Sequence, residues 1–337
     1  MTTPRVYVIH ENPEWFPPFA EAFAAEGVPV EELLLTDGGA LGSIDLSADP
    51  APGVYWSRMS ASSHTRGNEH SKEYARALLG WLERSGATVV NGSHVLELEV
   101  SKVAQHGLLR DAGFDVPRTT AVFGSSALQD AARTFTGGAD VPFITKHNQG
   151  GKGLGVRRFD TLAEFDAYVD SPEFEAPVDG ITLLQELLTA REPFITRAEF
   201  VGGEFVYAVR VDTSAGSFEL CPADACEVPQ VIAGAVCDVP GTAAPGAPAA
   251  FSIRDEVTAE HPLVQQLRRF LADQRIQVAG VEFMETTDGR TVVYDVNTNT
   301  NYNPAVEAVA PVSGPRAIAR FTGALLEQAY AASATTA

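Results

Sequence analysis

No stretch of this chain approaches the roughly eighteen consecutive apolar residues that a membrane helix needs, so no membrane partner is expected. The opening MTTPRVYVIHENP lacks the charged start, apolar core and small-residue site of a secretory signal, which makes a cytoplasmic location the expectation. Cysteine is scarce: Cys221, Cys226 and Cys237 are the only three, crowded into one short stretch. An odd number argues against a disulfide framework. Without a C-x-x-C pair or a neighbouring histidine they read as ordinary thiols and not as a zinc site. Basic residues are outnumbered by acidic ones, 24 to 44, for a formal net charge of -20. That balance opposes nucleic acid as a partner, because neutralising phosphates takes clustered Lys and Arg. A polyanionic ligand must then be held by a few local cations or a metal ion. Two nucleotide signatures are also missing. No window reads G-x-x-x-x-G-K-[ST], since Lys152 is followed by Gly153, and the glycines at 151, 153 and 155 miss G-x-G-x-x-G.

What is present divides into three parts, with boundaries at 1–97, 98–184 and 185–331, and a frayed tail at 332–337. In the first, RVYVI, VEELLL, GVYWS and TVVNG read as strands separated by helical segments, a small open α/β domain with a parallel sheet. In the second, EVSKVAQHGLLRDAG is a helix that Ser101 caps; VPFITK is a strand, followed by the turn HNQGGKGLG and a helix that Thr161 caps. The third part holds strands, the helix HPLVQQLRRFLADQ and a C-terminal helix from about Pro315 to Tyr330. Residues 212–262, dense in Pro and Gly, read as a long inserted loop.

The chemistry sits in two places. In AGVEFMETTDGRTVVYDVN, Asp288-Gly289 predicts a two-residue type I′ hairpin. That turn sets Glu282 directly opposite Asp295, and Gly280 opposite Asn297. Opposed carboxylates on one sheet face repel unless a cation or proton lies between them. Two carboxylates and an amide form an all-oxygen set suited to Mg²⁺. The alternative is a surface hairpin whose acids face water, and a three-residue loop with a bulge would spoil the register. The second place is FITKHNQGGKGLGV, in which Lys146 ends a strand and Gly150, Gly151, Lys152, Gly153 and Gly155 follow. Such glycines let backbone N–H groups close around phosphate oxygens, although taken alone the loop also reads as a mobile β-turn.

Together with RMSASSHTRG, LLQELLTAREPFITRAEFVGGEFVYAVR and the order in which they occur, these segments make the chain resemble the ATP-grasp superfamily, and within it the RimK-like carboxylate-amine ligases. The resemblance implies an α/β fold in which two α+β subdomains clasp ATP behind an N-terminal open α/β domain. It implies an ADP-forming ligase that joins a small-molecule carboxylate to an amine through an acyl phosphate. Lys102 and Lys146 would contact phosphates, and Gly150 to Gly155 would close over them. Gln185, Glu186, Leu187 and Leu188 would line the base, and Glu192 would meet the ribose. Arg197 and Arg210 would approach the γ-phosphate, with cross-strand pairing to Glu199 or Asp212 as their alternative. Glu282, Asp295 and Asn297 would hold Mg²⁺, or Mn²⁺ in its place. Substrate contacts fall to His10, Glu11, Asn12, Arg58, Ser60, His64, Arg66, Asn299, Asn301 and Asn303, with Arg58 or Arg66 as a carboxylate clamp. A homodimer is a family-level expectation only. TNTNYNP stands where relatives carry a Pro-Gly turn, which points away from a standard amino-acid donor. The rival readings are an ATP-binding regulatory protein without chemistry, and an enzyme that phosphorylates or cyclises its own carboxylate.

Overall fold

In the first part the apolar runs alternate with helical segments and fold as expected. Strands β1 (Arg5–His10), β2 (Val30–Leu34), β3 (Gly53–Ser57) and β4 (Thr88–Val90) form a parallel sheet in the order β2-β1-β3-β4. The computed structural model describes residues 3–36, 43–151, 153, 155–214 and 250–330, so Lys152 and the three cysteines lie outside the described residues. The period-two alternation of a strand sends Val6, Val8, Val54 and Trp56 to one face, against helix α1 (Pro17–Ala25). Tyr7, Ile9 and Tyr55 face helix α2 (Ser71–Arg84) on the other side.

Two helices follow. α3 (Ser93–Glu99) is one the sequence reading did not anticipate. α4 (Lys102–Asp111) begins at the expected cap, where Ser101 Oγ accepts the Ala104 amide at 3.2 Å.

Strands β5 (Thr119–Phe123), β6 (Phe143–His147), β7 (Arg157–Phe159) and β8 (Ile181–Glu186) pair antiparallel in the order β5-β8-β6-β7. Helices α5 (Leu128–Thr136) and α6 (Leu162–Val169) cover this central sheet through Leu128, Phe143, Phe159 and Phe165. Thr161 and Glu164 cap α6 reciprocally. β8 belongs to this sheet as far as Glu186.

The third sheet is also antiparallel. Its strands are β9 (Phe194–Val201), β10 (Glu204–Asp212), β11 (Phe251–Ile253), β12 (Val278–Glu285) and β13 (Thr291–Asn297), in the order β11-β10-β9-β12-β13. Residues 251–253, expected inside the inserted loop, are therefore a sheet strand paired to β10. Ala198, Phe200, Val281 and Phe283 bury one face against helix α7 (Pro262–Asp273). Ile195, Val209 and Val211 on the other face share a core with Val6, Val54, Trp56 and the C-terminal helix, labelled α9 (Gly314–Tyr330) after the short α8 (Pro304–Glu307). The first and third units are thus packed through α9, while the central unit has a core of its own.

The β12–β13 turn differs from expectation. A type I′ turn needs positive φ at both central residues, but here only Gly289 has it, at 86°. Thr286 N–H donates to Arg290 O at 2.9 Å, which leaves a three-residue loop, 287–289. The pairs nearest the turn, such as Phe283 with Val293, are accordingly shifted by one residue. A bulge at Tyr294 then takes up the extra residue, and beyond it Glu282 faces Asp295 and Gly280 faces Asn297. Loop and bulge cancel each other.

Candidate active site

Where the C-terminal sheet turns its face toward the central sheet, apolar residues give way to charges. Arg197 on β9, Glu282 on β12 and Asp295 on β13 stand in adjacent register. They line a cavity of about 450 Å³ that also receives Lys102, Lys146, Gln185, Gly150, Gly151, Gly153, Leu187, Leu188 and Asn297. The surrounding walls are Ile144, Met284 and Tyr294 from the two sheets, and Trp15, Ser60 and Ser62 from the N-terminal unit.

The electrostatics of this cluster are tightly coupled. Lys102 Nζ donates to Asp295 Oδ1 at 2.6 Å. Arg197 Nη1 and Asn297 Nδ2 both donate to Glu282 Oε1, at 3.3 and 3.2 Å. Burial and the neighbouring Asp295 push the Glu282 carboxyl up. Burial works in the same direction on Asp295, but Lys102 and Lys146 outweigh it and hold that carboxyl below its ordinary value. Burial pulls Lys102 down, and Asp295 more than offsets it. Lys146, buried and repelled by Lys102, is lowered to about 8; its ammonium lies 5.6 Å from the Tyr294 ring. Every carboxylate of the pair is thus answered by a protein cation, and the donor set of two carboxylates and one amide fits a hard divalent ion.

Other expected residues have different placements. Arg210 shares a sheet face with Phe194, whose ring it covers at 4.2 Å, and is not part of the cavity wall. Strand alternation explains this: its neighbour Val209 pairs with Arg197, so Arg210 points to the opposite side. The Glu186 carboxylate accepts from Arg118 N and Arg290 Nη1, both at 3.0 Å, and holds strands together outside the cavity wall. Glu192 is exposed and likewise outside the wall. Gly155 is not part of the cavity wall: a Cβ there would come within 2.1 Å of the His147 ring.

The N-terminal candidates separate similarly. Arg58 is 1 % exposed, stacked 4.3 Å over Phe19, and donates to Thr300 O and Asn301 Oδ1 at 3.1 and 2.8 Å. It is a strut behind the cavity, not a substrate clamp. Arg66 is held by Glu11 and by Ser62 Oγ at 3.2 Å, over the Trp15 ring. His64 meets Lys72 Nζ at 3.4 Å, outside the wall, and His10 turns its Nδ1 to Asn12 O at 3.0 Å. Asn299 and Asn301 do line the cavity. Asn303 instead caps α8, accepting from Ala305 N and Val306 N at 2.9 and 3.2 Å.

Two residues of the site, Glu99 and Asn148, are not marked by any motif, and a third, Glu199, is placed differently from expectation. Glu99, at the end of α3, lines the cavity and accepts the Thr298 amide and hydroxyl, each at 2.8 Å; burial raises its carboxyl. Asn148 Oδ1 accepts Val103 N at 2.9 Å, and its main-chain oxygen accepts Lys102 N at 3.2 Å, which ties the start of the glycine loop to the start of α4. Glu199, 2 % exposed, takes Arg197 Nε at 2.6 Å. The pair with Arg197, expected only as a cross-strand alternative, forms within one strand at i and i+2 and is buried.

Neither a protein-family model nor any curated protein matches the sequence. Solved structures are similar over nearly the whole chain. An ATP-grasp RimK domain protein from Sphaerobacter thermophilus is 19% identical, with a TM-score of 0.62 over 94% of this chain and 98% of that one. A VanG D-Ala:D-Ser ligase from Enterococcus faecalis is 14% identical, with a TM-score of 0.66 over 96% of this chain and 100% of that one. The ATP-grasp ligase PsnB, in a complex with minimal precursor, Mg and ADP, is 17% identical, with a TM-score of 0.56 over 98% of each chain. With two antiparallel sheets facing each other across the cavity and this likeness along its length, the chain has the ATP-grasp fold.

Proposed function

We propose that this chain is an ATP-dependent ligase that joins a small-molecule carboxylate to an amine. The observation that carries the reading is the facing pair Glu282 and Asp295, with Asn297 beside them and Lys102 and Lys146 in the same cavity. A base fits between Ile144 and the Leu187–Leu188 segment, with Gln185 at its edge, and its phosphates meet the two lysines and the amides of Gly150, Gly151 and Gly153. Magnesium, or manganese in its place, would be held by Glu282, Asp295 and Asn297 and supplies positive charge to the phosphoryl oxygens. Arg197, fixed between Glu199 and Glu282, faces the charge that develops as the γ-phosphoryl group passes to a carboxylate oxygen and ADP leaves. The amine nitrogen then attacks the acyl carbon, phosphate departs, and the nitrogen loses a proton. Positioning and charge neutralisation suffice for both steps, so no nucleophilic side chain is required.

Asp295→Ala is expected to abolish ATP-dependent phosphate release, with a far-ultraviolet circular dichroism spectrum like the parent's showing that the fold survives the loss of the pair with Lys102. Undiminished turnover in that variant refutes the reading. ADP release that proceeds without any added amine supports instead an enzyme that phosphorylates or cyclises its own carboxylate.

A further inference from the structure

Among the described residues three carboxylates line the cavity: Glu99, Glu282 and Asp295. Glu282 and Asp295 face each other as the pair proposed to hold the metal, with Arg197 and Lys102 as their partners. Glu99 stands apart, at the end of α3, and joins two segments of the wall that lie far apart in the chain. Its Oε2 accepts Thr298 N and Thr298 Oγ1, each at 2.8 Å, one residue before Asn299. Among the described residues its Oε1 receives only Ala61 N, at 3.4 Å, between Ser60 and Ser62. The bonds from Thr298 fix the carboxylate, and the second oxygen keeps most of its accepting capacity.

Burial raises the Glu99 carboxyl and Asp295 adds to the rise, with Thr298 and Lys102 opposing them. A raised carboxylate takes a proton more readily than one in water. An acceptor amine arrives mostly as an ammonium ion near neutral pH. It cannot attack until that nitrogen gives up a proton. The imidazole in the wall, His147, stands between Lys146 and the glycine loop, with Nε2 3.0 Å from Glu175 O.

We infer that Glu99 receives the acceptor as an ammonium ion and takes its first proton. The nitrogen lone pair then bonds to the carbon of the acyl phosphate, and the bond from that carbon to the phosphate oxygen breaks. The second proton leaves the nitrogen with the departing phosphate, and Glu99 returns its own to water. This rests on the ligase reading above.

Hydroxylamine separates the inference from that reading, because near neutral pH it is already largely uncharged and traps an acyl phosphate as a hydroxamate without a base. Carboxylates are first screened with ATP, Mg²⁺ and hydroxylamine to find a donor. With that donor, acceptors are sought among amino acids, ethanolamine and 1,3-diaminopropane, all ammonium ions at that pH. Glu99→Gln keeps a carbonyl acceptor for Thr298 and removes the base. It is expected to lower kcat/KM for the ammonium acceptor about 100-fold more than for hydroxylamine. The rate that remains with that acceptor should climb with pH as the amine loses its proton in solution. Equal losses with the two nucleophiles, or no loss, overturn the inference and leave the ligase reading standing. So does a parent enzyme that makes hydroxamate but no amide from any of these ammonium ions. If His147→Gln shows the unequal loss and Glu99→Gln does not, the proton goes to the imidazole and the inference also falls. No hydroxamate from any carboxylate overturns both.

Discussion

At the scale of single residues, the site depends on what fills the space over Gly280. From the sequence this glycine is expected only to stand opposite Asn297, as it does. In the structure the Arg197 guanidinium lies over it, and a Cβ on residue 280 would come within 2.5 Å of its Nε and Nη2. Two carboxylates, Glu199 and Glu282, pin the guanidinium in that position. Gly280→Ala is therefore expected to push Arg197 aside without disturbing the strand, lowering kcat about 10- to 100-fold. A melting curve like that of the parent, with activity retained, would show that Arg197 is not needed where it stands. The opposed carboxylates Glu282 and Asp295 were legible from the hairpin and Lys146 from the strand that enters the glycine loop, whereas Lys102 came only from the resemblance. Glu99 was not legible, and neither was the burial of Glu199, because an isolated acid gives no clue to whether it faces water or a buried cation.

Among the elements, the joint between α4 and the end of β6 fixes the distance between the two lysines. Asn148 makes that joint: its Oδ1 accepts Val103 N and its Nδ2 donates to Asp179 Oδ2 at 2.6 Å. Asn148→Ala strands buried groups on both sides and is expected to destabilise the fold by about 1–3 kcal/mol. It also frees the start of α4, so the KM for ATP rises. Urea denaturation and steady-state kinetics measure the two effects, and an unchanged KM would sever the link to Lys102. Helix α3 was missed for a local reason: its seven residues, SHVLELE, are too few to establish a helical period, and Gly92 before them provides no side-chain cap. The hairpin register was legible, but the turn was not. Asp288-Gly289 is a strong local preference, but the loop is one residue longer, and a bulge at Tyr294, which lines the cavity, offsets it.

For the whole molecule, the distribution of cores matters more than the division into three parts. Ile318 of α9 is fully buried in the core shared by the N-terminal and C-terminal sheets, whereas Phe165 belongs to the central unit alone. Unfolding is accordingly expected in two transitions. Ile318→Ala should lower one by about 2–5 kcal/mol and Phe165→Ala the other by about 3–5 kcal/mol. Calorimetry in which both variants shift a single common transition would show that the cores are not independent. Among the described residues no helix is long and apolar enough to cross a membrane.

Hydrophobic period and turn residues act over a few positions, so the chain alone determined most of its strands and helices and the capped start at Ser101, while Glu282 faces Asp295 through a loop and a bulge that offset each other. Side-chain partners come from segments far apart in sequence, and only the packed structure decided them. Packing turned Arg58 and Arg66 into struts, sent Arg210 to the far face, brought Glu99 to the cavity wall, and joined the first and last units through α9. The asparagine run shows both kinds of outcome. Strand alternation placed Asn297 beside the carboxylate pair, and a local cap put Asn303 at the start of α8, whereas Asn299 and Asn301 reached the cavity through the packing of distant segments.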